Sequence, residues 1–201
     1  MLTSTHMLLG AVVSTRPHFS GRLIASGWLG GVVPDLSIVV MFAISRLMRL
    51  TPGATWQAPN GMYWQEPWQE ISAISNSIPL WAGLSLLGWF LFQYAKKLNG
   101  FGLYLLVFSI AALTHTLGDF PVHTDDAHVH FWPFSDWRYY SLVSYYQSAN
   151  FGGIFRVFEM ASALGLAGYL IFRFRQWQVR ILAVLLGIAP IVMGFLAQML
   201  F

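Results

Sequence analysis

The sequence has no cysteine and very few charged residues, and both shortages limit what the chain can be. Without thiols it can form neither disulfides nor thiolate metal sites. Only 9% of its 201 residues are charged, whereas soluble domains average about 25%. Hydrophobic residues make up 56% of the chain. These figures argue against an ordinary soluble domain and predict an integral membrane protein.

Long apolar segments predict an all-α, polytopic transmembrane bundle. A spanning helix needs about 20 mostly apolar residues. Residues 2–15 are too few, and they predict a short N-terminal helix that is retained, because they lack the basic region of a signal peptide. No repeat or composition shift divides residues 1–201, which predicts a single integral membrane domain. About five segments are long enough to span: 23–46, 71–95, 101–119, 154–172 and 179–201.

Two long connections, the first long loop (50–70) and the second long loop (120–152), are rich in Trp, Tyr and Pro. Aromatic residues of this kind favour the membrane interface. If the spans alternate, most of the 11 basic residues fall on the opposite side, which the positive-inside rule assigns to the cytoplasm. We therefore expect a bacterial inner-membrane protein whose long loops face the periplasm. Because the basic residues lie at span ends, the net charge of +3 does not indicate a nucleic-acid partner.

Most histidines of the chain are concentrated just where the third predicted span ends. His115 and Asp119 are four residues apart, so a helix places both on one face. Neutral imidazole and carboxylate are ligands for zinc, and also for manganese or iron. A simple pair of His115 with Asp119 is the alternative, but His123, His128 and His130 follow closely. The cluster therefore predicts a divalent metal site, with zinc as the best-suited ion.

Other ionisable residues are predicted at a similar depth. Asp35 follows Pro34, which kinks its helix and frees carbonyl groups, so its carboxylate is a candidate metal ligand. The alternative is a packing kink in which Asp35 bonds to nearby backbone. Glu159 lies about 9 Å inside the fourth predicted span, given a rise of about 1.5 Å per residue. It is either an ion-pair partner of Arg156 or a general base.

Four short motifs are spread along the chain: Thr5-His6, Pro34-Asp35, His115 with Asp119, and Trp132-Pro133-Phe134. Together they resemble the membrane-bound metal-dependent hydrolases, a family of small bacterial inner-membrane proteins. The resemblance extends over most of the chain. It implies a metal-dependent hydrolytic activity and the metal ligands His6, Asp35, His115 and Asp119. The chain departs from the family pattern at Ser37, where a second aspartate is usual, and at Asn76, where a histidine is usual.

Three functions are compatible with these residues. The first is a metal-dependent hydrolase of a lipid or lipid-linked phosphoester near the outer leaflet, with Glu159, Asp125 or Asp126 as general base. The second is a non-enzymatic membrane subunit of a larger complex, with a structural metal site in its outer loops. The third is a proton or metal-ion conductor, although beyond His6 no polar residue continues a path to the inner side. The expected partners are membrane lipids, and for the second function other membrane protein subunits.

Overall fold

Helices form most of the chain in the computed structural model, which describes residues 1–200, with side chains from residue 1 to residue 195. Helix accounts for 69% of the protein, and the described part contains no strand, only an isolated bridge between Val129 and Arg138. The predicted all-α class is therefore confirmed. The α-helices of the described part, in chain order, are α1 (Thr3–Ser14), α2 (Gly21–Gly30), α3 (Leu36–Leu47), α4 (Pro52–Trp56), α5 (Trp68–Ser75), α6 (Ile78–Tyr94), α7 (Asn99–Asp119), α8 (Gly152–Arg173) and α9 (Trp177–Leu200).

The number of membrane spans depends on how two bent helix pairs are counted. By length and composition, α7, α8 and the part of α9 up to Phe195 can each cross a membrane alone. The pair α2 and α3 and the pair α5 and α6 are apolar enough only when taken together, and they bend by 44° and 42°. The described residues thus contain three candidate spans, or up to five if each bent pair is one span.

Each bend has a local cause. Pro34 has no amide hydrogen, and the chain forms a 3-10 turn there instead of continuing α2 directly into α3. This kink was expected from the sequence. The second break, at Asn76, was not: Ser77 caps α6 by accepting the amide of Leu80 at 3.1 Å. The freed carbonyl of Asn76 lies 3.0 Å from Nδ1 of His130 in the second long loop.

The short helix α1 lies at the centre of the bundle and not at its edge. It contacts α2, α7, α8 and α9, and its residues Leu8 and Ala11 are completely buried. They belong to an apolar core with Ile24 of α2 and Phe174 after α8. Twelve residues rise only about 18 Å, too little to cross a hydrocarbon core of about 30 Å. Neighbouring helices therefore enclose α1, which carries His6 into the interior.

The two long loops pack against each other at the Asp119 end of α7. Tyr63 of the first long loop lies with its hydroxyl 3.4 Å from Nδ1 of His128 in the second. Both residues are buried. The loops therefore cover the end of the bundle at which the predicted metal ligands lie. That this end faces the periplasm stays a prediction.

Candidate metal centre

Asp119, the last residue of α7, is the centre of the cluster. Its carboxylate is 1% exposed. Oδ1 lies 2.8 Å from Nε2 of His6 and 3.5 Å from Nε2 of His123, while Oδ2 lies 3.2 Å from Nε2 of His115. The amino group of Met1 is 2.6 Å from Oδ1. Three imidazoles and one ammonium group thus surround a single buried carboxylate, which marks this position as a strong attractor of positive charge.

The first triad consists of His6, His115 and Asp119, whose ligand atoms all lie within 4.8 Å of one another. The three residues are buried, and the two imidazoles stack with ring centroids 3.6 Å apart. Asp35 adds a second carboxylate, with Oδ1 3.4 Å from Nε2 of His115. The triad combines α1 and α7, and Asp35 adds the bend between α2 and α3, so the arrangement exists only in the folded bundle.

The hydrogen bonding of His115 indicates that a cation belongs in this triad. Its Nδ1 lies 2.8 Å from the carbonyl oxygen of Gly31, which can only accept, so Nδ1 carries a proton. In the neutral imidazole, Nε2 would then present a lone pair to the oxygens of both Asp35 and Asp119. The lone pair of Nε2 and the two carboxylates would repel one another unless a proton or a metal ion lies between them. A carbonyl that holds a histidine in this tautomer is the usual support for a metal ligand.

The second triad consists of Asp119, His123 and His128, whose ligand atoms also lie within 4.8 Å of one another. Nδ1 of His123 is 2.9 Å from Oδ2 of Asp126, which orients the ring. Nε2 of His123 is buried, makes no hydrogen bond to any described residue, and lies 3.5 Å from Oδ1 of Asp119. A carboxylate that orients a histidine through one ring nitrogen is the arrangement found around zinc-bound histidines. Asp119 therefore contributes to both triads.

His128 is held from the other side by α5 and the first long loop. Its Nδ1 lies 3.2 Å from the hydroxyl of Ser72 and 3.4 Å from that of Tyr63. These contacts leave Nε2 for a ligand. Neither hydroxyl was identified from the sequence, because hydroxyl residues are common in such segments and no spacing relates them to a histidine more than fifty residues away.

The loop histidines differ in charge. Burial lowers the pKa of His123, but the neighbouring carboxylates of Asp119 and Asp126 outweigh burial and raise it to about 9. Burial and then the positive charge of His123 lower the pKa of His128 to about 3. Without a metal, His123 is thus cationic at neutral pH and His128 is neutral. The second triad therefore holds positive charge beside Asp119 even before an ion binds.

The other predicted site residues lie around the two triads or apart from them. His130 joins neither triad; it bonds to the carbonyl of Asn76. Asp125 is exposed and accepts a hydrogen bond from the hydroxyl of Tyr146 at 2.8 Å. Glu159 is buried and accepts the amide of Leu2. Of the three predicted bases, only Asp126 contacts a residue of a triad.

The donor set fits a divalent metal ion of the zinc, manganese or iron type. It offers imidazole nitrogens and carboxylate oxygens and no thiolate. Nδ1 of His6, Nε2 of His123 and Oδ1 of Asp126 are buried without hydrogen-bond partners, although buried polar atoms are normally paired. Ligation of an ion, with the side chains adjusting around it, would satisfy such atoms. The cluster is therefore a candidate metal centre.

The fold and the site together define an all-helical protein with apolar helices able to cross a membrane and a buried histidine–aspartate cluster able to hold metal ions. Comparison with known proteins finds no matching family model, no similar curated protein and no similar solved structure. The resemblance to membrane-bound metal-dependent hydrolases accordingly stays a prediction.

Proposed function

We propose that the chain is a membrane-bound, metal-dependent hydrolase whose two triads, which share Asp119, would each hold a metal ion. The substrate is a lipid or a lipid-linked phosphoester near the outer leaflet. The observation that carries this proposal is that one buried carboxylate belongs to two separate histidine triads. Hydrolytic centres with two ions about 3.5–4 Å apart are typical of phosphatases and nucleases. Membership of the metal-dependent hydrolase family, suggested by the sequence motifs, is part of the same proposal.

Zinc is the ion that we propose. Its structural and catalytic sites use histidine and carboxylate ligands in sets of three or four, and each triad supplies three of them. Asp35 is the natural fourth ligand of the first triad, because its Oδ1 is 3.4 Å from His115 Nε2. Manganese and iron accept the same donors, so elemental analysis has to decide among them.

The protein residues divide the chemical work between them. Bound ions would polarise the phosphoryl or carbonyl oxygen of the substrate and make water a better nucleophile. Asp126 orients His123, and its unpartnered Oδ1 is a position at which a proton from water can be accepted. The closed packing around His6 and His115 excludes bulk water, which strengthens every charge interaction in the centre.

The position of the centre supports a lipid substrate. Asp119 ends a helix able to span a membrane, and aromatic loops cover that end. Aromatic residues prefer the depth of lipid headgroups, where the ester and phosphate groups of lipids lie. With the loops on the periplasmic side of a bacterial inner membrane, as the basic residues predict, the substrate would come from the outer leaflet of that membrane.

Metal content and hydrolysis together test the proposal. The full chain, purified in detergent without chelators, should contain about two zinc ions per molecule and hydrolyse phospholipid or lipid-linked phosphoester. At saturating zinc, Asp126→Asn should lose most of kcat, because the base is removed and the ligands are not. Asp136→Asn, in the same loop but in neither triad, is the matched control. A wild-type protein without transition metal, or without activity on any lipid ester, would refute the proposed hydrolase function.

One observation favours a second candidate, a structural metal site in a non-enzymatic subunit. His123 and His128 come from the second long loop, whereas Asp119 belongs to α7. Ions shared between them would fasten that loop to the bundle and create a fixed surface for other membrane subunits. Metal at full occupancy, no hydrolysis, and release of the loop on chelation would support this candidate over the hydrolase.

A further inference from the structure

A cavity of about 570 Å³ lies between the beginning of α8 and the C-terminal half of α9, apart from the metal ligands. Ligand pockets typically measure about 300–1,000 Å³. Both helices are candidate spans, and most of their residues are not buried within the protein. In a membrane the cavity would therefore open towards lipid. Its wall is mainly apolar and includes Val157, Met160, Pro190, Ile191 and Phe195.

Within the described residues, the lining contains one guanidinium without an ion-pair partner, that of Arg156, and one buried carboxylate, that of Glu159. Arg156 lines it, is exposed, and forms no ion pair or hydrogen bond with any residue that the structure describes. Arg156 and Glu159 do not form the ion pair that was one of the two alternatives from the sequence. Gly153 lines the same cavity in the first turn of α8, where amides lack helical partners, and neither an acidic residue nor a side-chain cap occupies that turn. An anion at the mouth would be attracted by both groups.

The cavity adjoins the metal centre. Tyr145 lines its wall, and the ring of Tyr145 lies 5.0 Å from the ring of His123. Glu159 also lines the cavity and bonds to the amide of Leu2, close to the amino group that contacts Asp119. A molecule in the cavity is thus separated from the second triad by one aromatic side chain.

We propose that this cavity binds an acyl chain of an anionic phospholipid whose phosphate pairs with Arg156. An apolar wall and one free guanidinium at the mouth match an apolar chain that ends in a phosphate. The lining covers only about two turns of each helix, which suits a flexible chain better than a packed helix. The inference deepens the proposed function, because a lipid held here has its headgroup beside the metal centre.

Two substitutions test the cavity. Arg156→Gln removes the charge, and Arg173→Gln at the other end of α8 is its control. Gly194→Leu fills the cavity, since a Cβ at Gly194 meets no atom within 4 Å. Gly165→Leu on α8 has the same free space outside the cavity and serves as its control. Each variant is the full chain in detergent, titrated with dioleoyl phosphatidylglycerol or phosphatidylcholine, with bound lipid counted by native mass spectrometry.

The wild type should bind phosphatidylglycerol in preference to phosphatidylcholine. Arg156→Gln should weaken phosphatidylglycerol binding about tenfold or more, as expected for a lost charge-assisted contact, and abolish the preference. Gly194→Leu should weaken both lipids, and the controls should bind as the wild type does. Equal binding by all five proteins would overturn the inference. A change of oligomeric state in Gly194→Leu without loss of lipid would assign the cavity to a second copy of the chain and overturn it as well.

The same samples separate this inference from the proposed function. Metal content is measured on each protein. Lipid binding that depends on Arg156 in a protein without metal would support the cavity and refute the hydrolase. Two bound ions and hydrolysis, with lipid binding unchanged by Arg156→Gln and Gly194→Leu, would support the hydrolase and refute the cavity.

Discussion

Replacing Asp119 with asparagine should empty both triads at once. The amide keeps the shape of the carboxylate and can still bond to His6 and His115, so the bundle should fold. It removes the negative charge, however, and an amide oxygen is a much weaker ligand for zinc than a carboxylate. Because Asp119 belongs to both triads, no other single ligand substitution should have this double effect.

The size of the effect can be worked out from the ligand count. Zinc binds to structural sites with about 10–16 kcal/mol at pH 7, and four ligands share this free energy, so one ligand contributes about 2.5–4 kcal/mol. At about 1.4 kcal/mol for each factor of ten, Asp119→Asn should weaken each site by about 60- to 700-fold. His6→Gln and His128→Gln should each weaken only one site by a similar factor, because each histidine belongs to one triad.

Elemental analysis and zinc titration of detergent-purified variants measure this difference. The wild type should hold about two ions per chain, His6→Gln and His128→Gln about one, and Asp119→Asn none. Asp125→Asn is the matched control, since this nearby carboxylate is exposed and bonds to Tyr146. Full metal content in Asp119→Asn would refute the shared-ligand reasoning. So would the loss of both ions from His6→Gln.

Three further outcomes follow from the contacts. Tyr63→Phe removes a hydroxyl that orients His128 and should lower zinc affinity about 10- to 100-fold, measured by titration; unchanged affinity would show that the contact is incidental. Chelation should lower the thermal midpoint and expose the second long loop to protease, and zinc should reverse both; an unchanged midpoint and cleavage pattern would argue against bound metal. Gly30→Ala drives a Cβ into the carbonyl of Phe108 and should lower the free energy of unfolding by about 1–3 kcal/mol. Gly83→Ala, where a Cβ has free space, should cost nothing. Equal thermal midpoints of the two variants would contradict this packing.

Local features of the sequence predict a large part of the fold. Hydropathy identifies α7, α8 and α9, because a spanning helix satisfies its own backbone and needs only about 20 apolar residues. The bend at Pro34 follows from one missing amide hydrogen. The shared face of His115 and Asp119 follows from their spacing within one helix. In each case the cause lies within a few residues of its effect.

Contacts between distant parts of the chain were beyond such reasoning. The central position of α1 depends on its packing against four other helices, whereas its sequence alone predicted only a short N-terminal helix. His6 reaches Asp119 across 113 residues, and only the family resemblance singled it out. Ser72 and Tyr63 support His128 through the packing of one long loop on the other. Neither hydrophobic periodicity nor residue spacing contains this information.

Ser37 and Asn76, the two departures from the pattern of the resembled family, both make contacts near the centre in the folded chain. Ser37 lies with its hydroxyl 3.5 Å from that of Ser75, which donates to the carbonyl of Pro34, so this position joins the two helix bends. Asn76 uses its backbone carbonyl to hold His130. Both positions thus contribute contacts to the framework around the centre, and Oδ1 of Asn76 is a further buried polar atom without a hydrogen-bond partner in the described part of the chain.

The second long loop brings two imidazoles, from His123 and His128, close to Asp119. They add to the donors that His6 and His115 supply from the helices. On this basis the loop histidines are constituents of the centre, and a protein that lacks the second long loop should retain at most the ion of the first triad.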